Sequence, residues 1–247
     1  LIYTSRAGFS GTDTVRYRVI DGSEGLAHHW TLAGHANDMV GGANGSLFGG
    51  PGTINGVWGS ALRFDGVNDQ AVISDFGYSN EFTLSFWFRM SDNNGTGLRY
   101  MYAHGEAAAL NSLNVYFIEK DATALAATTN VLRTRIRDGN DADNVNGLDL
   151  SAVGLADNQW HQYTLVTRTG VGSQVYIDGT LRRAISAGGD AINPAGTVRL
   201  GTNTTGDSIR FYQGDLDTLQ VYSRAVDAAE LYAGGLAEAQ VVVTVSP

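Results

Sequence analysis

The chain has 247 residues, enough to bury one large core or two smaller ones. Its net charge of −9 opposes binding to nucleic acid or to an anionic membrane and favours divalent cations. It lacks cysteine, which excludes disulfide staples, and it carries 32 glycines against 3 prolines, a balance that suits many short strands joined by glycine turns.

No window approaches the ~20 apolar residues that cross a bilayer, so no membrane insertion is expected. Lys120 is the only lysine, and arginine carries the remaining positive charge. Residues 1–27 open the chain with Phe9-Ser10-Gly11-Thr12-Asp13, then alternate Val15, Tyr17 and Val19, and close on Asp21-Gly22-Ser23. This string resembles the end of bacterial cadherin-like or immunoglobulin-like repeats. Such repeats finish on a strand of alternating valines and threonines, which is missing after Ala27 but present at residues 239–245 as AQVVVTV. A sandwich needs its last strand to cover an exposed edge. The displacement therefore implies that residues 28–235 are inserted in a split repeat formed by 1–27 and 236–247; two ordinary neighbouring units are the alternative. The resemblance places the chain in a longer, multidomain adhesin on the bacterial cell surface, where absence of cysteine is ordinary.

Within the insert, His29-Trp30-Thr31-Leu32 reads as an opening strand, followed by a Gly-, Asn- and Asp-rich loop over 34–50. In Ser60–Asp69, Ala61, Leu62 and Phe64 alternate with polar Ser60, Arg63 and Asp65, and Asp65-Gly66 with Asn68-Asp69 forms the corner that ends the strand. Strands are predicted over 82–90, 100–104, 113–119, 131–137, 148–153, 162–168, 174–177, 197–200 and 217–222, with one short helix begun by an Asp227/Glu230 capping box and ended at Gly234. Four segments in order, Gly59–Asp69, Phe82–Met90, Gln159–Gly179 and Gly214–Tyr232, resemble the laminin-G-like, concanavalin A-like jelly-roll domains. The expected fold is thus all-β, a jelly-roll sandwich with one short helix, plus the flanking strands of a split immunoglobulin-like sandwich.

The resemblance also implies a calcium site. Asp38, Gly41 and Asn44 correspond to the family's calcium loop and Asp217 to its late aspartate, although Met39 and Val40 replace small polar residues there. A hard cation needs six to eight oxygens, which glycine-permitted carbonyls and Asp or Asn side chains supply. A second candidate is the segment between Arg137 and Asp149, where Asp138, Asn140, Asp141, Asp143 and Asn144 crowd together. Calcium bound by Asp138, Asp141 and Asp143 would offset their repulsion and accept sugar hydroxyls, with Asn140, Asp141, Asp143 and Asn144 completing the contacts. Asn93, Asn94, Asn203 and Asp207 are placed on partner loops of the same rim by strand order. Trp30, Trp87 and Trp160 are expected in the core, Trp58 at the surface, and Tyr100, Tyr102 and Tyr116 along one face.

The fold also hosts glycoside hydrolases, and the β-glucanase relatives among them carry an E-x-D-x-x-E strand, which is absent here; Glu81, Glu106, Glu119 and Glu230 lack such partners. His28 and His29 face opposite sides of a strand, and His161 matches a structural position. The sequence therefore reads as a non-enzymatic, calcium-dependent lectin, monomeric and extracellular, that attaches to glycans on host cells, algae or matrix. A protein- or peptide-binding module, or a calcium-stiffened spacer, is the alternative.

Overall fold

In the computed structural model, residues 10–17, 24–90, 97–105, 111–118, 131–138, 149–151, 154–185, 194, 196–205, 210–236 and 239–245 are described. In chain order the first strands are β1 (Gly11–Tyr17), β2 (Leu26–Trp30), β3 (Gly45–Phe48), β4 (Gly52–Asn55), β5 (Ser60–Asp65) and β6 (Gln70–Ile73). Then come β7 (Phe82–Arg89), β8 (Leu98–His104), β9 (Asn111–Ile118), β10 (Val131–Asp138) and β11 (Asp149–Ser151). The chain continues with β12 (His161–Arg168), β13 (Gly172–Ile177), β14 (Thr180–Ile185), β15 (Val198–Leu200) and β16 (Gln213–Tyr222), and closes on α1 (Ala228–Leu236) and β17 (Ala239–Val245).

Two antiparallel sheets form the sandwich. One has seven strands in the order β11-β10-β9-β8-β15-β6-β3; the other has eight, β14-β13-β12-β7-β16-β5-β4, with β2 also paired to β16. The predicted jelly roll is therefore present. The loop expected over 34–50 contains β3, and β4 and β6 also form, β3 pairing with β6 and β4 with β5 so that their backbone groups are satisfied in the ladders. β1 and β17 make a two-stranded sheet of their own, in register from Gly11↔Val245 to Tyr17↔Ala239. The helix runs through Gly234 to Leu236 rather than stopping at the glycine; Asp227 caps its start by accepting from the amides of Ala229 (2.8 Å) and Glu230 (3.3 Å).

Alternating residues of both sheets meet in one core. Phe88 of β7 meets Phe117 of β9 edge-on at 5.8 Å, and Phe86 stacks on Tyr163 at 5.0 Å. The Tyr163 hydroxyl, buried and hence pushed well above the usual phenol range, is hydrogen-bonded to Thr134 Oγ1 of the opposite sheet at 2.6 Å. Trp30 and Trp87 are buried as expected, whereas Trp160 is only half-buried. The three tyrosines do not share a face: a bulge between Tyr100 and Tyr102 turns Tyr102 into the core and leaves Tyr100 stacked on Tyr116 outside the sheet.

One end of the sandwich is closed by residues 74–78. Phe76 packs against His28 (4.5 Å), His104 (5.0 Å) and Trp30 (5.3 Å). Buried His104 holds Asp75 through Nε2 (3.0 Å) and the Tyr78 hydroxyl through Nδ1 (3.2 Å), and Tyr78 in turn bonds Tyr102. Burial lowers the His104 pKa against the pull of Asp75. At the opposite histidine, Asp178 raises the His161 pKa, outweighing burial.

A histidine whose folded pKa is depressed stabilises fully above its unfolded value of ~6.5 and loses that contribution as pH falls below it; a raised pKa has the reverse dependence. His104→Gln is therefore expected to remove the loss of urea midpoint that His104 should cause in the wild type below pH 6.5. The remaining dependence, from His161, weakens the variant as pH rises above 6.5, and midpoints measured across pH 5–8 check both signs.

Candidate functional site

Asp38, Gly41 and Asn44 are brought together, but as a closed hydrogen-bonded loop. Asp38 Oδ1 accepts from the amides of His29 (2.9 Å), Val40 (3.0 Å) and Gly41 (3.1 Å), while Oδ2 accepts from Ala43 (2.9 Å) and His28 Nδ1 (2.7 Å). Asn44 Oδ1 accepts from the Asp38 amide at 3.0 Å. Burial pushes the Asp38 carboxyl up, yet the amide and imidazole donors prevail and hold it at about 2. A carboxylate ringed by N–H donors does not fit a hard cation, which needs converging oxygens.

Asp217 is bound to a different loop. It is fully buried at a bulge of β16, and its Oδ2 accepts from the amides of Val57 (2.7 Å) and Trp58 (3.1 Å). Thr218 donates to Oδ1 at 3.0 Å. A Cβ on Gly56 would lie 2.3 Å from Oδ2, so only glycine allows this approach. Burial raises the Asp217 pKa against these donors. Among the described residues, no three His, Cys, Asp or Glu side chains gather as a metal site.

Asn93, Asn94, Asn140, Asp141, Asp143, Asn144 and Asp207 lie outside the described residues, as does the Asp138 side chain. The expected common rim therefore lies outside the described residues, and only the strand ends that flank it are seen. Leu98 and Val131 both lie opposite Ile118, whereas Asp138 lies opposite Asn111 and His104 opposite Leu113. The Leu98 end and the Asp138 end are opposite ends of the sheet, because adjacent antiparallel strands reverse direction. β15 runs from Val198, opposite His104, to Leu200, opposite Tyr102, so it points to the Leu98 end. β10 ends at Asp138, but the chain is next described at Asp149, opposite Arg133, so the strand ends do not assign segment 139–148 to one rim. Asn203 itself is buried and donates to Thr205 Oγ1 at 2.6 Å.

A different site is built from β5, β7 and β16. A cleft of about 330 Å³ is lined by Arg63, Asp65, Arg89, Asn158, Gln213 and Asp215, over apolar Phe64 and Met90. Asp215 is 3% exposed and holds two guanidinium groups: Arg63 through Nε (2.8 Å) and Nη2 (3.3 Å), and Arg89 through Nε (2.8 Å). Arg89 also lies over the Trp160 ring, 4.9 Å from its centre. Gly214 makes this possible, since a Cβ there would come within 2.5 Å of the Arg89 carbonyl and 2.6 Å of the Tyr212 hydroxyl. That hydroxyl instead donates to the Arg89 carbonyl at 3.1 Å. Asn158, in the left-handed region at φ 63°, is tied to β7 by its amide bond to the Met90 carbonyl at 2.9 Å. The result is a fixed set of planar donors and acceptors beside apolar surface.

A family model described as the concanavalin A-like lectin/glucanases superfamily matches residues 65–232, more than half of the chain. The chain belongs to that superfamily. Solved structures share the fold at low identity. Domain 4 of an extracellular arabinanase from Geobacillus stearothermophilus, in complex with arabinotriose, is 15% identical with a TM-score of 0.60, the match covering 85% of this chain and 98% of that one. The ligand-binding domain of botulinum neurotoxin serotype D, in complex with N-acetylneuraminic acid, is 13% identical with a TM-score of 0.63, covering 85% and 50%. The binding domain of a paraclostridial mosquitocidal protein is 15% identical with a TM-score of 0.61, covering 85% and 51%; the superfamily chain thus spans about half of each toxin structure. No curated protein matches it by sequence.

Sequence reasoning passed over Arg63, Arg89, Asn158, Gln213 and Asp215. Asp215 lies two residues before Asp217, on the same face of β16, and faces Arg63 and Arg89 in register across both neighbouring strands. Two arginines opposite one aspartate was a readable signal once the pairing of three strands was assumed.

Asp38→Ala leaves five donors without their acceptor and is expected to cost about 3 kcal/mol in chemical denaturation at pH 7. Since the Asp38 pKa is depressed, the wild type should lose this contribution as pH falls from ~3.8 toward 2. Asp215→Ala strands Arg89; because Arg63 is more than half exposed, the expected loss is about 2 kcal/mol, with Arg63→Ala costing much less.

Proposed function

We propose that the chain is a carbohydrate-binding module and that the Asp215 cleft is its sugar site. The observation that carries this reading is the pair of guanidinium groups locked by one buried carboxylate, beside exposed Asn158 and Gln213, over apolar Phe64 and Met90. Sugar hydroxyls need donors and acceptors in fixed directions, and sugar C–H faces need apolar surface. The neighbouring structures that hold arabinotriose and N-acetylneuraminic acid support the reading at the level of the fold. Binding without hydrolysis is part of the proposal: Asp215 is committed to two arginines, and Asp65 Oδ1 accepts from the amides of Val67 (2.8 Å) and Asn68 (3.3 Å).

In the proposal the module belongs to an extracellular bacterial surface adhesin. The β1–β17 pairing supports this by setting side by side the strands that precede and follow the sandwich, as an insertion in a repeat would require. Calcium dependence enters through Asp138, Asp141 and Asp143 only.

Arabinotriose and a panel of neutral oligosaccharides, titrated calorimetrically, test the site. Gln213→Ala and Asn158→Gly alter exposed residues and should each weaken binding about tenfold, or about 1.4 kcal/mol, with the melting temperature nearly unchanged. Affinity that persists in chelator fits the cleft, and affinity lost in chelator moves the site to the Asp138–Asn144 segment. No neutral sugar binding, or binding indifferent to both changes, overturns the assignment.

A further inference from the structure

One charge that lines the Asp215 cleft takes no part in its ion pairs. Leu62, Phe64 and Leu216 face the core, so Arg63 and Asp65 of β5 and Gln213 and Asp215 of β16 stand on the outer face of the eight-stranded sheet. Register sets them in two rows. Arg63, Asp215 and Arg89 lie side by side across three strands; in the next row Asp65 lies opposite Gln213, with Asn158 on the β7 side through its amide bond to the Met90 carbonyl. The first row carries two guanidinium groups against one carboxylate. Asp65 supplies a second carboxylate, so the two positive and two negative charges that line the cleft cancel.

Asp65 is exposed, whereas Asp215 is buried under its two arginines. The turn after β5 fixes the Asp65 carboxylate, whose Oδ1 accepts from the amides of Val67 (2.8 Å) and Asn68 (3.3 Å). Those bonds need an oxygen but not a charge. The other acidic groups nearby do not line the cleft. Asp69 is buried with Oδ2 on the Asp65 amide at 3.0 Å, and burial, joined by the Asp65 charge, raises its pKa against that amide. Asp157, next to Asn158, is held by His161 at 3.2 Å. Asp65 is thus the carboxylate that an incoming ligand meets, beside an Arg63 side chain that is 55% exposed. An acidic group that enters there loses at Asp65 what it gains from the guanidinium, and it gives up hydration as well. A neutral hydroxyl donates to Asp65 and accepts from Arg63 without that loss.

We propose that Asp65 sets the specificity of the cleft: its carboxylate cancels the excess guanidinium charge, so that the cleft takes neutral saccharides and rejects those that carry a carboxylate or a sulfate. This inference rests on the carbohydrate-binding reading above.

Calorimetry on the full chain at low salt, with arabinotriose, trigalacturonate, its neutral methyl ester and inorganic sulfate, tests this. The wild type should bind a neutral saccharide at least tenfold more tightly than trigalacturonate. Asp65→Asn and Asp65→Ser both keep an acceptor for the turn, and in them affinity for trigalacturonate or sulfate should rise about tenfold. The gain should vanish at high salt and when Arg63→Gln is added. Glu81→Gln removes an equal charge at the other end of β7, where Glu81 accepts from the Thr169 amide, and should give no gain. An equal gain in Glu81→Gln assigns the rejection to the net charge of −9 and overturns the role of Asp65. Anion binding unchanged in both Asp65 variants, or a wild type that binds trigalacturonate as tightly as its ester, also overturns that role, while neutral binding keeps the carbohydrate reading. If the wild type binds no neutral saccharide, that reading and the specificity built on it are both overturned.

Discussion

The fold depends on two carboxylates buried on one strand. β16 lies between β7 on one side and β5 and β2 on the other, so whatever fixes β16 fixes the eight-stranded sheet. Asp215 draws in an arginine from each neighbouring strand, and two residues later Asp217 captures the amides that lead into β5. A charge removed from water is tolerated only when donors replace its hydration, so each aspartate dictates the position of every group that satisfies it. The bulge at Thr218, which has φ 47°, follows from this demand, because its hydroxyl turns back onto Asp217.

The same demand separates structure from recognition. Asp38 and Asp217 are held mainly by backbone amides, with the His28 imidazole and the Thr218 hydroxyl adding one donor each. Asp215 is saturated by side chains, and these present further donors to solvent beside Asn158 and Gln213. Hence the aspartates that resemble family calcium ligands stabilise loops in this chain, and the one without a motif organises a cleft.

Much of the sandwich was legible from alternation alone. Leu62, Phe64, Leu84, Phe86 and Phe88 announce half-buried strands, and their positions hold. β3 and β4 were illegible because Gly-rich segments have no apolar period; they become strands only when a neighbour offers its ladder. The tyrosines failed for a local reason: one extra residue between Tyr100 and Tyr102 reverses which side faces the core, and a bulge leaves no mark in composition.

What the sequence by itself determined is the family, the all-β class, the helix cap at Asp227 and the identity of most core residues. Each depends on local chemistry or on a period of two, and both are written in consecutive letters. Which carboxylates are spent on the fold and which arginines meet were decided only by the tertiary structure. Those properties join residues far apart in the chain, as when Arg63 and Arg89 meet Asp215 from more than a hundred positions away, and chain folding alone brings their charges within hydrogen-bonding distance.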